Sequence, residues 1–353
     1  GIDYMTFFDE TSEPAKTEPT QVHISQQWKY EPSPLINCGF DPSGNYVFAT
    51  ARDFALVRFS LADGAQKIYK GHESWSRGMA FTHDGQHVIT GGCDDKIIWW
   101  NVNDEADAPA PVRTVEAHKG WVRALAISPD GTLLASGGND NMVRIWNVTD
   151  GALVREMSGH VKDVYSVFFH PSGEFLMSGD LAGQVKQWET ATGNEVRNFD
   201  SKDLHTYNGG QKVDYGGVRS ITMSPDNNMI AFSGLYKATN PLGAVNEPLI
   251  TLFDWEKGEK AKSLVMDNVK GILWRAEFHR EGYILGASGG SGGGVLGFWK
   301  PEEEKAFHQL KMPDTAVEMD LHPDGVQIAT VHYDRHLRIS RLEKKPEEPA
   351  KEG

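Results

Sequence analysis

The sequence predicts an all-β protein, a ring of seven like units that each hold four short antiparallel strands. Three observations point there. One short tight turn recurs seven times along the chain. The segments around it are short, alternating and rich in β-branched residues. No long amphipathic helical pattern is found.

The turn reads DPSG at Asp41, THDG at Thr82, SPDG at Ser128, HPSG at His170, SPDN at Ser224, HREG at His279 and HPDG at His322. Successive copies lie 41, 46, 42, 54, 55 and 43 residues apart. Pro pre-sets φ, Asp or Ser bonds the backbone, and Gly accepts positive φ, which together specify a tight turn. Around the third copy, Val122–Ser128 comes before the turn; Leu133–Gly138, Met142–Val148 and Ala152–Ser158 follow it. Four strands in roughly 42 residues is the period of a β-propeller blade. A lone four-stranded sheet cannot bury both faces, whereas seven stacked around an axis can.

The last unit supplies only three strands. Val22–Tyr30, ahead of the first unit, has the length of one strand. It is expected to be the outer strand of the last blade, closing the ring and removing two sheet edges. The resulting plan is a flexible acidic segment at 1–20, a seven-bladed propeller at 21–342 and a flexible Lys/Glu/Pro tail at 343–353. DETSEPAKTEPT (9–20) and EKKPEEPAKEG (343–353) read as solvated linkers. Two such tails flanking one domain suit a module of a larger chain or complex.

Bulk properties narrow the partners. The 353 residues carry a formal net charge of −14, against which phosphate backbones and anionic membrane surfaces are poor partners. No apolar run reaches the ~18 residues that span a bilayer. Cys38 and Cys93 make no disulfide framework and fit a reducing, cytoplasmic setting. The chain does not open with Met, which leaves export open.

Three units are the most regular: GHESWSRGMAFTHDGQHVITGGCDDKIIWWNV, AHKGWVRALAISPDGTLLASGGNDNMVRIWNV and GHVKDVYSVFFHPSGEFLMSGDLAGQVKQWET. They resemble the WD-repeat (WD-40) β-propeller family, with Gly/Ala-His at the start and Trp-Asn or Trp-Glu in place of Trp-Asp. The resemblance covers Gln21 to Leu342. It implies a buried hydrogen-bonded network in each regular blade: His72, Thr90, Asp94 and Trp100 in unit two, His118, Ser136, Asp140 and Trp146 in unit three. Unit four keeps His160, Ser178 and Trp188, with Ala182 where the Asp is expected. Unit seven keeps Thr330 and Asp334 but has Ser340 at the Trp position. Units one, five and six lack most of the set and are expected to rely on apolar packing.

A set that recurs once per unit is structural, since a catalytic site would occur once. The His72–Asp95 stretch, with His83, His87 and Cys93, therefore reads as scaffolding, and no catalytic residue is assigned. No metal site is assigned either: CDD lacks zinc spacing, and in HYDRH (His332, Asp334, His336) the Asp belongs to the network position. His83, His170, His279 and His322 are expected to be exposed turn residues. The GxGxxG within Gly286–Gly297 is followed by a strand, so it reads as a flexible loop between strands b and c, and no cofactor is expected.

In the resembled family the d–a and b–c loops share one face, the top. Here the long insertions Asp200–Gly217, Gly234–Pro248 and Gly286–Gly297 all fall on that face. Register places Arg77, Arg123, Tyr165, Arg219 and Trp274 at the channel mouth, with Trp75, Trp121 and Asp163 two residues earlier. The resemblance implies partner contacts at such positions, and Trp, Tyr and Arg dominate hot spots. Three arginines suit a carboxylate or an acidic peptide. A second arrangement stays open, in which each Trp packs under its own loop and each Arg pairs with a nearby Asp. The reading is a non-enzymatic scaffold that binds a protein or peptide on its top face. The alternative is a propeller enzyme or small-ligand binder with a single site at the channel mouth, because fold does not fix function.

Overall fold

Each repeated turn joins the two inner strands of one four-stranded antiparallel sheet. In the third, Leu133 N donates to Ser128 Oγ at 3.0 Å and Gly131 takes φ +77°, a left-handed value that a side chain would strain. The computed structural model describes residues 13–239 and 245–351. Parts of the expected tails (1–12 and 352–353) and of the Gly234–Pro248 insertion (240–244) lie outside them.

The seven sheets form a β-propeller. Their innermost strands are Leu35–Phe40, Ser76–Phe81, Val122–Ile127, Val164–Phe169, Ser220–Met223, Ile272–Phe278 and Ala316–Leu321. Consecutive blades share apolar clusters. Ile89, Ile97 and Trp99 of blade two meet Val122, Leu134 and Trp146 of blade three. Ala135, Val143 and Ile145 of blade three meet Val164, Leu176 and Trp188 of blade four. Burying each large apolar side chain contributes about 1.5–3 kcal/mol. Blade five lacks the polar network; instead its Phe232, Phe253 and Trp255 pack around Phe199 from the outer strand of blade four. Among the described residues no helix is long and apolar enough to cross a membrane.

The ring closes as expected. His23–Lys29 pairs antiparallel with His336–Arg341 and is the outer strand of blade seven. A bulge between Ile24 and Gln26 shifts its register. Without it, Val22, Ile24, Trp28 and Tyr30 would share one face; the extra residue reverses the alternation. Val22 and Ile24 thus join the cluster toward blade six, while Trp28 and Tyr30 join the one toward blade one.

Several expectations are corrected. The linker read at 9–20 ends before Thr17, which is buried: its amide donates to Glu281 Oε2 at 3.0 Å, and its hydroxyl lies 2.7 Å from that of Tyr283. Of the turn histidines, His170, His279 and His322 are buried rather than exposed, and His83 is half-buried. For His279 and His322 the next blade's turn explains this, whereas His170 packs on Trp255, their ring centres 4.8 Å apart. His279 Nε2 donates to Gly325 O at 2.7 Å, and a Cβ on Gly44 would lie 3.0 Å from His322 Nε2. The glycine tract is not one loop. Gly286–Gly289 and Gly294–Gly297 lie in strands Ile284–Gly289 and Gly294–Trp299, leaving Gly290–Gly293 to turn. At Gly289 and Gly294 the backbone of the next blade, at Ala316 and Asp314, occupies the space a Cβ needs. The other two insertions also carry their own structure. His205–Asn208 pairs with Val213–Gly216, and strands Met229–Thr239 and Val245–Asp254 extend the blade-five hairpin.

Deleting residues 22–30 removes the closing strand and its four anchors. The melting temperature is expected to fall by about 10 °C or more. A deletion variant that melts with the full-length protein would refute this account of closure.

Candidate functional site

Blades two and three contain the expected network. Asp94 accepts from His72 Nδ1 at 2.9 Å, His72 Nε2 lies 2.6 Å from Thr90 Oγ1, and Trp100 Nε1 donates to that hydroxyl at 2.9 Å. Blade three repeats this with Asp140, His118, Ser136 and Trp146 at 2.8, 2.7 and 2.9 Å. An ionised carboxylate only accepts, so Nδ1 carries the proton, and in the neutral imidazole Nε2 then accepts from the hydroxyl. The donors run one way, from indole to hydroxyl to imidazole to carboxylate. Burial alone would raise the Asp140 carboxyl; hydrogen bonds from His118 and Arg144 outweigh it and hold the group well below the usual range.

The carboxylates also reach the top face. Asp94 accepts from Glu73 N at 2.9 Å, and Asp140 from Lys119 N at 3.0 Å. They tie the d–a loop to the b–c turn. Trp75, Trp121 and Asp163 each follow a network histidine by three residues, so the network sets the loops that carry the candidate site.

Blade four corrects the assignment at Ala182. His160 Nδ1 bonds Asp180 Oδ2 at 2.8 Å, so the carboxylate comes from two residues earlier. Asp180 occupies the strand position held by Gly92 and Gly138 in blades two and three. A Cβ on Gly138 would lie 2.6 Å from His118 Nδ1. One site receives one side chain: glycine yields to the later Asp, or an Asp at the glycine position makes the later one unnecessary. His160, Ser178 and Trp188 are otherwise placed as expected. In blade seven Thr330 bonds His332 at 2.8 Å, a histidine supplied by the strand itself. Asp334 pairs with Arg338 instead, its Oδ2 2.6 Å from Nη2. Among the described residues no His, Cys, Asp and Glu group could hold a metal ion.

The mouth residues share a cause that register alone did not reveal. In six innermost strands the ladder skips one residue near the top. The skipped residues are Ile36, Arg77, Arg123, Tyr165, Trp274 and Val317. In blade five Arg219 N bonds Ser233 O at 2.8 Å while Ser220 pairs with the same Ser233, an equivalent doubling. A bulge bends its strand and re-aims the extra side chain. Here Arg77, Arg123, Tyr165, Arg219 and Trp274 line a channel cavity of about 220 Å³.

Cations and rings alternate around this mouth. Arg123 lies 4.9 Å from the Trp121 ring centre and 4.1 Å from that of Tyr165. Arg219 lies 4.8 Å from Tyr165 and 4.9 Å from Trp274, and Arg77 5.9 Å from Trp121. Of the two arrangements open from sequence, the Asp-pairing one is absent: among the described residues Arg77, Arg123 and Arg219 make no ion pair. Arg123 Nε donates to Asn139 Oδ1 at 2.5 Å, and Arg219 Nη2 to Gly216 O at 3.0 Å. Trp75 does pack locally, donating to Arg52 O at 3.1 Å. Desolvation first, with Arg123 and Arg77 adding to it and Tyr165 opposing, lowers Arg219 to about 10. Sequence reasoning missed Arg52 and Tyr333, which extend the series: Arg52 lies 4.9 Å from Trp75 and 5.3 Å from Tyr333. Both occupy the turn position next to the network Asp, where Cys93 and Asn139 stand in blades two and three. Aligning that position would have found them.

Deeper in the channel the charge reverses. Arg275 Nε bonds Glu318 Oε1 at 2.6 Å. Glu277 and Asp320 face the same cavity, and Asp320 accepts from Phe40 N at 2.8 Å. Desolvation, then the Glu277 charge, pushes Asp320 up to about 8. Glu277 is also raised, by desolvation first, with Arg275 opposing.

Three segments of the chain, 65–101, 109–147 and 151–189, match the family described as WD domain, G-beta repeat. Three WD repeats thus stand in blades two to four of this seven-bladed β-propeller. The matches fall on the turns and networks of blades two to four, where the regular units lie. Comparison with curated proteins gives no significant match. WD-repeat propellers commonly act as protein-interaction scaffolds, bind proteins or peptides, and are generally not enzymes.

Two measurements test this geometry. Asp180→Gly is expected to cost about 2–3 kcal/mol, leaving His160 without its acceptor. Adding Ala182→Asp to it rebuilds the blade-two arrangement and should recover most of that loss in chemical denaturation. A double variant no more stable than the single one would reject the exchange. For Asp320, the folded state keeps a proton that the unfolded state releases near pH 4. Its contribution to stability therefore falls as pH rises from about 4 to about 8. Asp320→Asn should flatten that decline and melt higher than wild type at pH 8.

Proposed function

We propose that this WD-repeat propeller is a non-enzymatic interaction module whose top face takes a protein or peptide of acidic character. The observation that carries the reading is the half-buried ring of arginines and aromatics at the mouth, whose three channel arginines have no carboxylate partner among the described residues. Structural arginines this far from bulk solvent ordinarily have an acid beside them. These have rings, which hold the guanidinium planes without neutralising them. Trp, Tyr and Arg together make the composition of an interface hot spot. The blades supply a rigid frame, so binding requires little rearrangement.

Affinity capture from the source cell tests this with wild type and a Trp121→Ala, Arg123→Glu, Arg219→Glu variant of equal melting temperature. A partner held by wild type and lost by the variant is the expected outcome. Partners held equally by both would move the interface away from the mouth. A small molecule that co-purifies with wild type in place of any protein would favour a ligand-binding or enzymatic propeller.

A further inference from the structure

The channel mouth has a chemical bias that narrows its ligand. The buried hydrogen-bonding atoms left over among the ring residues are donors: Arg77 Nε, Arg219 Nε and Trp274 Nε1 have no acceptor among the described residues. Ser166 Oγ is unpartnered in the next layer, on a side chain 5% exposed that lines the same cavity. Three N–H groups that can only donate, beside a hydroxyl that can also donate, call for a ligand that accepts and does not donate, which is an oxyanion.

The charge count goes further. Arg77, Arg123 and Arg219 repel one another, and each lacks an ion pair among the described residues. Asp163 is the carboxylate on the neighbouring loop; burial raises it despite Arg123, and among the described residues it forms no ion pair with any of the three. Below, Arg275 is already matched by Glu318. A carboxylate would cancel one of three charges and serve one guanidinium fork. A phosphate monoester carries close to two charges and three acceptor oxygens near neutral pH, enough to serve more than one fork. Arg77 and Arg219 keep an uncommitted Nε–H among the described residues and can each offer it with one Nη–H, while Arg123, whose Nε is held by Asn139, offers its Nη groups.

We infer that the mouth is a dianionic oxyanion site, built from Arg77, Arg123 and Arg219, that takes a phosphorylated side chain of the bound peptide. This rests on the proposal that the top face holds a peptide. The aromatic spacers suit it: Tyr165 and Trp274 hold the cations apart and offer apolar contact to the ester-bearing side chain. The acidic lower channel then acts as a floor, since Glu318 and an ionised Glu277 repel an anion that would pass further in.

Calorimetry at pH 7.5 and low salt compares three probes on the full chain: a capped Gly–phosphoserine–Gly tripeptide, its Glu analogue and inorganic phosphate. The phosphotripeptide is expected to bind at least about tenfold tighter than the Glu analogue, and tighter than inorganic phosphate. Arg77→Gln, Arg123→Gln and Arg219→Gln should each weaken it by about tenfold or more. Arg219→Lys, which keeps the charge and loses the fork, should fall between. The probe comparison on wild type stands even if a variant fails to fold. Equal or tighter binding of the Glu analogue would overturn the phosphate assignment and leave the acidic-peptide reading standing. Tightest binding of inorganic phosphate would make this a free-ion site and overturn the peptide-borne ligand. Binding untouched by all the arginine variants would place the anion elsewhere and overturn the site. Failure of every probe, with a captured partner still lost from the top-face variant, would overturn the oxyanion site alone.

Discussion

Everything at the mouth depends on one strand pair joining the two ends of the chain, His23–Lys29 against His336–Arg341. A propeller blade is held by its neighbours on both sides, so an open ring would leave two blades each with a bare apolar face. Closure sets the radius at which seven innermost strands stand. That radius brings Ile36, Arg219 and Val317, far apart in sequence, around one cavity. The bulge after Ile24 lets one strand serve both neighbouring interfaces. Closure is thus a matter of packing as much as of backbone pairing.

Two local devices convert this frame into a site. The polar networks fix the top-face loops by anchoring the d–a loop and the b–c turn on one carboxylate. The bulges release one side chain per innermost strand from the sheet's alternation and point it at the axis. The networks sit in blades two to four and the arginines in blades two, three and five. The better-fixed blades and the charged arc of the mouth therefore largely coincide.

The fold was legible because it is periodic. A seven-fold turn, four strands per period and a missing last strand leave few alternatives. The network was legible where each residue kept its usual place, and misread where a neighbour supplied the same atom. Asp180 reaches His160 from a position where the pattern expects glycine, and sequence spacing does not show that two backbone positions converge on one point. The buried turn histidines were misread for a related reason. A turn seen alone looks exposed, and only the ring places the next blade against it. For the mouth, register found one position per blade but not its companion: Arg52 and Tyr333 share the turn position beside the network Asp, legible by aligning that turn across the repeats, while their stacking on the mouth rings is visible only in the folded ring.

The two ends of the described propeller leave side by side. Glu18 N donates to Leu342 O at 2.8 Å, and Lys344 N to Glu18 Oε2 at 3.3 Å. His23 faces Arg341 at that same end of the ladder, with Lys29 and His336 at the other. A pull that separates the tails therefore loads this ladder as a zipper, one bond after another, rather than in shear across all of them. The clasp of Thr17 on Glu281 and Tyr283 lies ahead of the zipper on the N-terminal side and meets the load first. Under tension the ring would part at the seam where it was closed, with six blades still intact.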